Sequence, residues 1–357
     1  MSTRLLVTGI CGFVGSAITR ALLESVDGLH VIGVDNFVRA GSEINRRALA
    51  DQGVRVVHAD LRCSSDLDAL PRADWVIDAA ANPRVLAGID GRTSPRQLLE
   101  HNLGGTLNVL EFCRRHQAGL ILLSTSRVYS LPPLAALPVD VQDDAFRPRG
   151  DAMTPHGVTA AGIAEAFSTE PPVSLYGASK AASETIALEY AHAFGIPVWI
   201  ARCGVLAGSG QFGTQDQGIF SYWINAHLRR RPLTYIGFGG YGYQVRDCLH
   251  PRDLAALIAC QMRRPEQSGA RVVNLGGGPG RSMSLAQLTA WCDARFGRHQ
   301  VDADPTPRPF DVPWIVMDSG LARRQWDWHP TTSLEDILVE IARHAEQHPE
   351  WLAISES

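Results

Sequence analysis

Lysine is almost absent from this 357-residue chain. Of its 33 lysine and arginine residues only one, Lys180, is a lysine. Arginine fills every other cationic position, so position 180 requires a property that arginine lacks. Lysine carries a compact ammonium on a thin stem, whereas the planar guanidinium of arginine is bulkier and spreads its charge.

An excess of positive charge, paired cysteines and long apolar runs are also missing. The formal net charge of −4 gives no basic field for a polyphosphate backbone, which excludes nucleic acid as the expected partner. The seven cysteines are scattered and form no Cys-x-x-Cys pair, which argues against a disulfide framework and a zinc site. No run resembles a signal peptide or a membrane span, so we expect a cytoplasmic protein with no membrane contact. We also predict no metal site, with His344 and His348 solvated on a polar helix.

Short apolar runs alternate with helix-periodic stretches in the first 204 residues. The runs are RLLVTG, HVIGVD, VRVVHAD, WVIDAA, LILLST and VWIAR. Such strands are buried on both faces, which is typical of a parallel sheet covered by helices. We therefore predict an α/β fold, a Rossmann-type doubly wound parallel sheet over residues 1–204. The Gly-rich and Pro-rich remainder, 205–357, predicts a smaller, interleaved C-terminal α/β substrate domain, with 236–280 partly returning to the first.

A glycine-rich loop follows the first predicted strand. Residues 7–15 read VTGICGFVG and place Gly9, Gly12 and Gly15 at the start of a helix that begins near Phe13 and Val14. The glycines allow a tight turn and a close approach to a pyrophosphate, whose charge meets the free amides of the helix. This pattern predicts a dinucleotide site.

Two acidic residues end the second and third strands. Asp35, in GVDNF, is placed to accept from both adenosine ribose hydroxyls and would repel a 2′-phosphate, which favours NAD over NADP. Arg39 lies near enough to leave NADP open. Asp60, in HADLR, is placed either to hold the adenine amino group or to cap the next helix.

The single lysine lies four residues after a tyrosine, so one helix face presents Tyr176 and Lys180 together. A general base for a sugar hydroxyl must be partly ionised near neutral pH. Lowering the pKa of a tyrosine from about 10 to about 7 takes about 4 kcal/mol, which a unit charge about 4 Å away supplies at an effective dielectric near 20. The pair therefore predicts a tyrosine base activated by an ammonium. The hydroxyls of Ser124, Thr125 and Ser126 end the fifth strand, at the edge where parallel sheets bind ligands.

These motifs resemble the extended short-chain dehydrogenase/reductase family of nucleotide-sugar epimerases and dehydratases over nearly the full chain. The resemblance rests on TGICGFVGS, VDN, ADLR, HNLGGTLNVLE, LSTSRVYS, SLYGASK and ARCGVLAG. It implies that Tyr176 is the catalytic base, Lys180 its activator and a ligand of the nicotinamide ribose, and Thr125 the hydroxyl bonded to the reacting oxygen. It further implies that the NAD cleft contains Asn36, Leu61, Ala79, Ala80, Ala81, Asn102, Ser124, Cys203 and Val205, in addition to the residues named above.

A narrower resemblance concerns the second half of the chain. QFGTQDQG, QVRDCLHPRDL, NLGGG and DVPW are similar to segments of the CDP-tyvelose (CDP-paratose) 2-epimerase branch. It implies that Arg246 contacts a nucleotide diphosphate and that residues 211–218 fold over it. The substrate residues expected from both resemblances are Pro83, Thr125, Ser126, Arg127, Gln211, Gln217, Gly218, Tyr235 and Arg246. A Gly-rich surface loop and a structural arginine are the alternative interpretation.

The resemblance also indicates the reaction. Dehydratases of the family carry Asp-Glu where this chain has Ser126 and Arg127, so dehydration is disfavoured. We expect NAD-dependent epimerisation by transient oxidation and hydride return, with a CDP-sugar inverted at C2 as the favoured substrate. A 4-epimerase, a decarboxylase, a reductase and an inactive NAD-binding regulatory protein remain alternatives.

Family analogy predicts a homodimer through helices near 96–115 and 176–193. We expect the loops near 84–93, 130–170 and 206–222 to shape the substrate pocket.

Overall fold

Strands and helices alternate along the chain in a computed structural model that describes residues 2–150 and 153–356. The strands are β1 (Thr3–Thr8), β2 (Leu29–Asp35), β3 (Arg55–His58), β4 (Trp75–Asp78), β5 (Gly119–Thr125), β6 (Val139–Gln142), β7 (Ala145–Pro148), β8 (Val158–Thr159), β9 (Gly162–Ile163), β10 (Val198–Cys203), β11 (Val205–Leu206), β12 (Thr234–Ile236), β13 (Val245–Leu249), β14 (Val272–Leu275), β15 (Ser282–Ser284), β16 (Asp302–Asp304) and β17 (Trp314–Ile315). The α-helices are α1 (Phe13–Ser25), α2 (Ile44–Ala50), α3 (Ser64–Asp68), α4 (Pro95–Leu99), α5 (Gly105–His116), α6 (Leu131–Ala135), α7 (Leu175–Phe194), α8 (Ile219–Leu228), α9 (Pro251–Arg263), α10 (Leu285–Phe296), α11 (Gly320–Trp326), α12 (Leu334–Gln347) and α13 (Trp351–Glu356).

Within the described residues, a seven-stranded sheet has the order β14-β10-β5-β4-β1-β2-β3, and all its pairings are parallel. Helices α1 and α9 cover one face, and α5 and α7 cover the other. Every residue of β4 is buried, as expected of a strand packed between two helical layers. The predicted fold class is confirmed.

The chain returns to this sheet late in the sequence. Strand β14 pairs with β10, and α9 packs against α1. A second lobe surrounds the helices α8, α10 and α12, whose apolar faces form a separate core with Trp223, Leu288 and Ile341. The division at residues 204 and 205 remains a prediction.

The two predicted long helices occur, one of them with an irregular turn. Helix α7 spans the expected region, whereas α4 and α5 are joined by a π-helical turn over Glu100–Gly104. No helix within 2–150 or 153–356 is long and apolar enough to cross a membrane.

The expectation of solvated rings is wrong for His344, whereas the His348 side chain is 45% exposed. Their rings lie 4.4 Å apart between centroids, and His344 also meets the Trp351 ring edge at 4.6 Å. Burial, with a contribution from the charge of His348, lowers the pKa of His344 to about 4. The C-terminal helix α13 brings Trp351 against these rings, a contact that the polar local sequence did not indicate.

Candidate active site

The carboxyl ends of β1, β2, β4, β5 and β10 meet at one edge of the central sheet. A cleft of about 410 Å³, here called the main cleft, opens there. Doubly wound sheets bind ligands at this edge. A smaller cavity of about 180 Å³, the side cavity, adjoins it, and Arg127, Gln217 and Gly218 line both.

Nearly all of the predicted site residues line these two spaces. The cofactor candidates in the main cleft are Gly9, Gly12, Phe13, Val14, Gly15, Asp35, Asn36, Asp60, Leu61, Ala79, Ala80, Ala81, Ser124, Tyr176, Lys180, Cys203 and Val205. The substrate candidates there are Pro83, Thr125, Ser126, Arg127, Gln211, Gln217 and Gly218, and Arg246 lines the side cavity. Their binding roles remain predictions.

Asn102 and Tyr235 line neither space. Asn102 is buried behind the cleft, where it accepts from the Asn82 amide at 2.8 Å and donates to Ser179 Oγ at 3.1 Å. It therefore fixes the turn after β4 from behind, and its expected part in the cofactor cleft remains a prediction. Tyr235 stacks on Trp223 and donates its hydroxyl to Thr289 Oγ1 at 2.7 Å, so its predicted contact with substrate has no support.

The phosphate loop has the shape that a pyrophosphate requires. Gly9 has φ of +60°, and a Cβ there would lie 2.9 Å from the Ala80 Cα. A Cβ on Gly15 would lie 2.3 Å from the Gly9 carbonyl oxygen. Helix α1 begins without a side-chain cap or an acidic residue in its first turn, so its free amides face the cleft as an anion site.

Asp35 is held rigidly beside this loop. Its carboxylate accepts from the amides of Cys11 and Phe37, each at 2.9 Å. Burial raises the pKa of Asp35, and these backbone hydrogen bonds oppose that effect. The carboxylate is thus fixed at the end of β2, where it would meet a ribose.

Two other charged residues near Asp35 in the main cleft, Asp60 and Arg39, already bind protein groups. Asp60 binds Arg62 in a tight turn, whereas α3 begins after Cys63, so the interpretation of Asp60 as its cap is wrong. Arg39 donates to the Phe212 carbonyl at 2.7 Å and reaches Gln217 Oε1 at 3.5 Å. Its guanidinium thus braces the loop over residues 211–218.

Tyr176 and Lys180 lie in the first two turns of α7, and both are buried beside the cleft. Ser174 caps this helix by accepting from the Gly177 amide at 3.1 Å. Thr125 ends β5 and accepts from the Arg127 amide at 3.2 Å. The three side chains predicted to be catalytic therefore line one cleft.

The predicted lowering of the Tyr176 pKa is wrong for the chain without ligands. Burial raises the pKa of Tyr176 to about 12, and the Thr125 hydroxyl and the Arg127 charge offset this only in part. Lys180 is not among the groups that shift it. The phenol is therefore a hydrogen-bond donor in this state.

Lys180 is a buried amine without a direct partner. Among the residues that the structure describes, none forms a hydrogen bond or an ion pair with its ammonium. Burial lowers the pKa of Lys180, and the charges of Asp78 and Glu184 oppose that shift. Its donors therefore remain available to a ligand in the main cleft.

Three arginines, Arg127, Arg246 and Arg308, line the side cavity. Arg246 pairs with Asp311 at 2.7 Å and also donates to the Val312 carbonyl at 3.0 Å. Arg308 pairs with Asp216, and Arg127 donates to the Phe310 carbonyl at 3.1 Å. Burial and the charge of Arg246 lower the pKa of Arg127 to about 10. The three arginines outnumber the two aspartates of the lining, Asp216 and Asp311, and the remaining positive charge suits a diphosphate.

Sequence reasoning missed half of the side cavity. Arg308 and Asp311 lie in the Pro-rich stretch 302–313, where the resemblance of DVPW to a known segment assigned no role to either side chain. The predicted loop 130–170 contributes no described residue to either space, because its hairpins pack on β17 and its neighbours instead. Met283 and Leu288 line the cavity in its place.

Comparison with known proteins agrees with this architecture. The chain is 28% identical to a CDP-paratose 2-epimerase of Salmonella typhi, over 93% of this chain and 96% of that protein. It is 26% identical to a UDP-glucuronate 4-epimerase of Arabidopsis thaliana, over 95% of this chain and 74% of that protein. The solved UDP-glucose 4-epimerase of Thermus thermophilus in complex with NAD shares its fold, with a TM-score of 0.74, 24% identity and coverage of 96% and 99% of the two chains.

A family model covers most of the chain. It is described as the NAD dependent epimerase/dehydratase family and matches residues 5–276. The match spans the phosphate loop, the end of β5, the Tyr176–Lys180 helix and the return to the sheet at β14. The family recognised from the sequence motifs is thereby confirmed. The chain belongs to the NAD dependent epimerase/dehydratase family.

Proposed function

We propose that this protein is an NAD-dependent nucleotide-sugar epimerase that inverts C2 of a CDP-hexose. The observation that carries the proposal is the meeting of Thr125, Tyr176 and Lys180 in a cleft that continues into an arginine-lined cavity. The first part suits hydroxyl oxidation, and the second suits the diphosphate of a nucleotide sugar.

The main cleft fits NAD. Gly9, Gly12 and Gly15 line the cleft at the start of α1, where a pyrophosphate would lie, and Asp35 is fixed where a ribose would lie. Lys180 offers unused donors to the second ribose. When bound there, NAD supplies a positively charged ring that accepts a hydride from a sugar carbon and returns it.

The chain's own groups handle the proton. Tyr176 is protonated at neutral pH without ligands, and removing its proton at pH 7 costs about 7 kcal/mol for a pKa of about 12. The charge of Arg127 and the hydroxyl of Thr125 already favour the phenolate. The rest of the stabilisation has to come from the loaded cleft, where Tyr176 takes the proton of the sugar hydroxyl.

The side chains around Thr125 support epimerisation rather than dehydration. Ser126 and Arg127 occupy the positions that carry Asp-Glu in dehydratases of the family, and no described carboxylate replaces them next to Thr125 in the main cleft. Asp216 lines the cleft, but it is paired with Arg308 and Arg84. An acid and base for removing water are therefore absent from the described part of the cleft.

Similarity to the CDP-paratose 2-epimerase supports a CDP-sugar and inversion at C2. Similarity to UDP-glucuronate 4-epimerases favours a UDP-sugar 4-epimerase as the second candidate. In either case Arg246 and Arg308 would hold the diphosphate, and residues 211–218 would cover it. We further propose that residues 1–204 bind NAD and that 205–357 supply most of the sugar-nucleotide contacts.

Incubation of the purified protein with a panel of CDP- and UDP-hexoses, followed by proton NMR of the sugar, tests the proposal. We expect a CDP-hexose to reach equilibrium with its C2 epimer, and Tyr176→Phe to abolish the conversion while NAD binding persists. Inversion of UDP-sugars at C4 would favour the second candidate. Stoichiometric consumption of NADH would identify a reductase, and no turnover of any sugar would contradict an epimerase.

A further inference from the structure

Two buried carboxylates lie near the single lysine of the chain. Glu184 is on the same helix, and hydrogen bonds through Thr106, Asn102 and Ser179 link Asp78 to the residue before Lys180. Asp78 ends β4, and Glu184 lies one helical turn after Lys180 on α7. Lys180 and Asp78 are each at most 2% exposed, and Glu184 is 4% exposed. A buried ammonium without counter-charge loses its proton, because burial disfavours the ionised form.

Asp78 is held in place by hydroxyl groups. It accepts from Thr8 Oγ1 at 2.7 Å and from Thr106 Oγ1 at 2.9 Å. Thr8 Oγ1 in turn accepts from the amides of Ala79 and Ala80, which line the main cleft. No described cation pairs directly with Asp78.

Glu184 is held from the opposite side. It accepts from Arg202 Nε at 3.1 Å and Arg202 Nη2 at 2.7 Å, and it also accepts the Ser124 hydroxyl at the end of β5. Arg202 reaches the Tyr129 hydroxyl at 3.4 Å, which bonds to Asn274. Glu184 is therefore locked between Arg202 and the strand end that carries Thr125.

Cys203 is the third group that affects the pKa of Lys180, but it does not balance the charge of the ammonium. Cys203, on β10, lines the main cleft, and burial raises the pKa of its thiol to about 12, so it is neutral at physiological pH. The charges that oppose the burial of Lys180 thus come from Asp78 and Glu184.

We propose that Asp78 and Glu184 are positioning residues of the reaction centre, whose buried carboxylates keep the Lys180 ammonium ionised beside the main cleft. The catalytic significance of this role depends on the proposed epimerase function. A neutral lysine would contribute no positive charge beside the reacting hydroxyl. Neither carboxylate lines the main cleft, so their charges act on the reaction through Lys180.

The single lysine allows a direct test that needs no substrate. Protein grown with lysine labelled with ¹³C at Cε gives one resonance, whose shift follows the ionisation of Lys180. In the wild type we expect an ionised Lys180 at pH 7. Asp78→Asn and Glu184→Gln should each lower the titration midpoint by at least about 1 pH unit, the effect of removing one nearby opposite charge. Glu189→Gln, an exposed position on the same helix, is the matched control and should leave the midpoint unchanged.

Unchanged midpoints in both carboxylate variants would overturn the proposal, as would a wild-type midpoint below pH 7. The second criterion holds even if a variant does not fold. Glu184→Asp, which keeps the charge, should restore most of the midpoint that Glu184→Gln loses. Once turnover is established, the alkaline limb of the pH–rate profile should move with the NMR midpoint. Failure of the epimerase assay leaves the titration result intact, so the two proposals fail separately.

Discussion

At the scale of single residues, Tyr176 and Lys180 show opposite responses to burial. Burial raises the pKa of Tyr176 and lowers that of Lys180, so both groups are driven towards their neutral forms. Cofactor and substrate must reverse this tendency for proton transfer to occur. The residues that oppose it in the chain itself are Thr125, Arg127, Asp78 and Glu184.

Lys180→Arg tests the need for a compact ammonium. The bulkier guanidinium cannot occupy the same buried position and present the same donors. We expect kcat/KM to fall at least about 100-fold, the usual scale for loss of proton-transfer chemistry. Circular dichroism and NAD binding serve as controls for folding. Unchanged turnover in a folded variant would contradict a catalytic Lys180.

Single residues were predictable where the chemistry is local in the sequence. Tyr176 and Lys180 share a helix face because of their spacing, and the three glycines and Asp35 follow strands that the apolar runs reveal. The surroundings of Asn102, Tyr235 and Arg308 were not predictable, because they depend on contacts with residues outside each local motif. These partners are Asn82, Trp223 and Asp216.

At the scale of elements, the active edge depends on close packing between α7 and the turn after β5. A Cβ on Gly177 would lie 2.2 Å from the Arg127 carbonyl oxygen, so the helix approaches the turn only without a side chain there. The element order and the strand ends were predictable from apolar runs. The hairpins of 130–170 were not, because no local signal shows that they pack on β17.

Gly177→Ala should separate these elements. We expect the free energy of unfolding to fall by about 1–3 kcal/mol, the usual cost of overpacking. Gly104→Ala is the matched control, because a Cβ there would have its nearest neighbour at 3.9 Å. Urea unfolding measures both variants. Equal free energies of unfolding for Gly177→Ala and Gly104→Ala would contradict close packing between α7 and the turn after β5.

A carboxylate on α12 ties that helix to the loop after β11. Burial raises the pKa of Glu340, but hydrogen bonds from His250 and Ser209 outweigh it and bring the pKa to about 2. Because this pKa lies below the ordinary value of 4.5, the interaction stabilises the fold above about pH 4.5, and its contribution is lost as the pH falls towards 2.

Glu340→Gln should therefore lower the free energy of unfolding at pH 7. It should also reduce the loss of stability that occurs between pH 5 and 2. We expect the free energy of unfolding at pH 7 to fall by about 1 kcal/mol, because the Glu340 side chain is 35% exposed and solvent screens its interactions. Denaturant unfolding across this range measures the effect, with Glu189→Gln at an exposed position of α7 as the control. Parallel plots of unfolding free energy against pH for the wild type and Glu340→Gln would contradict this role of Glu340.

At the scale of the whole molecule, the fold places a cofactor-shaped cleft and an arginine-lined cavity side by side. The Rossmann-type sheet was predictable because its strands are continuous apolar runs. The side cavity was not, because β13, β15 and the stretch 302–313 meet there only through tertiary packing.

Helices α5 and α7 pack together on one side of the sheet and carry the partly exposed Leu107 and Phe194. Family analogy makes this surface the expected dimer interface. Light scattering should give a mass about twice the 38.8 kDa of one chain. A monomer mass would contradict the predicted homodimer.

The central claim is that the inverted carbon loses and regains its own hydrogen without exchange with water. Turnover of the accepted nucleotide sugar in heavy water, followed by mass spectrometry and NMR of the product, tests it most directly. We predict no deuterium at the inverted carbon. Substantial incorporation at that carbon would mean proton abstraction from carbon and would contradict transient oxidation at the Thr125–Tyr176–Lys180 site.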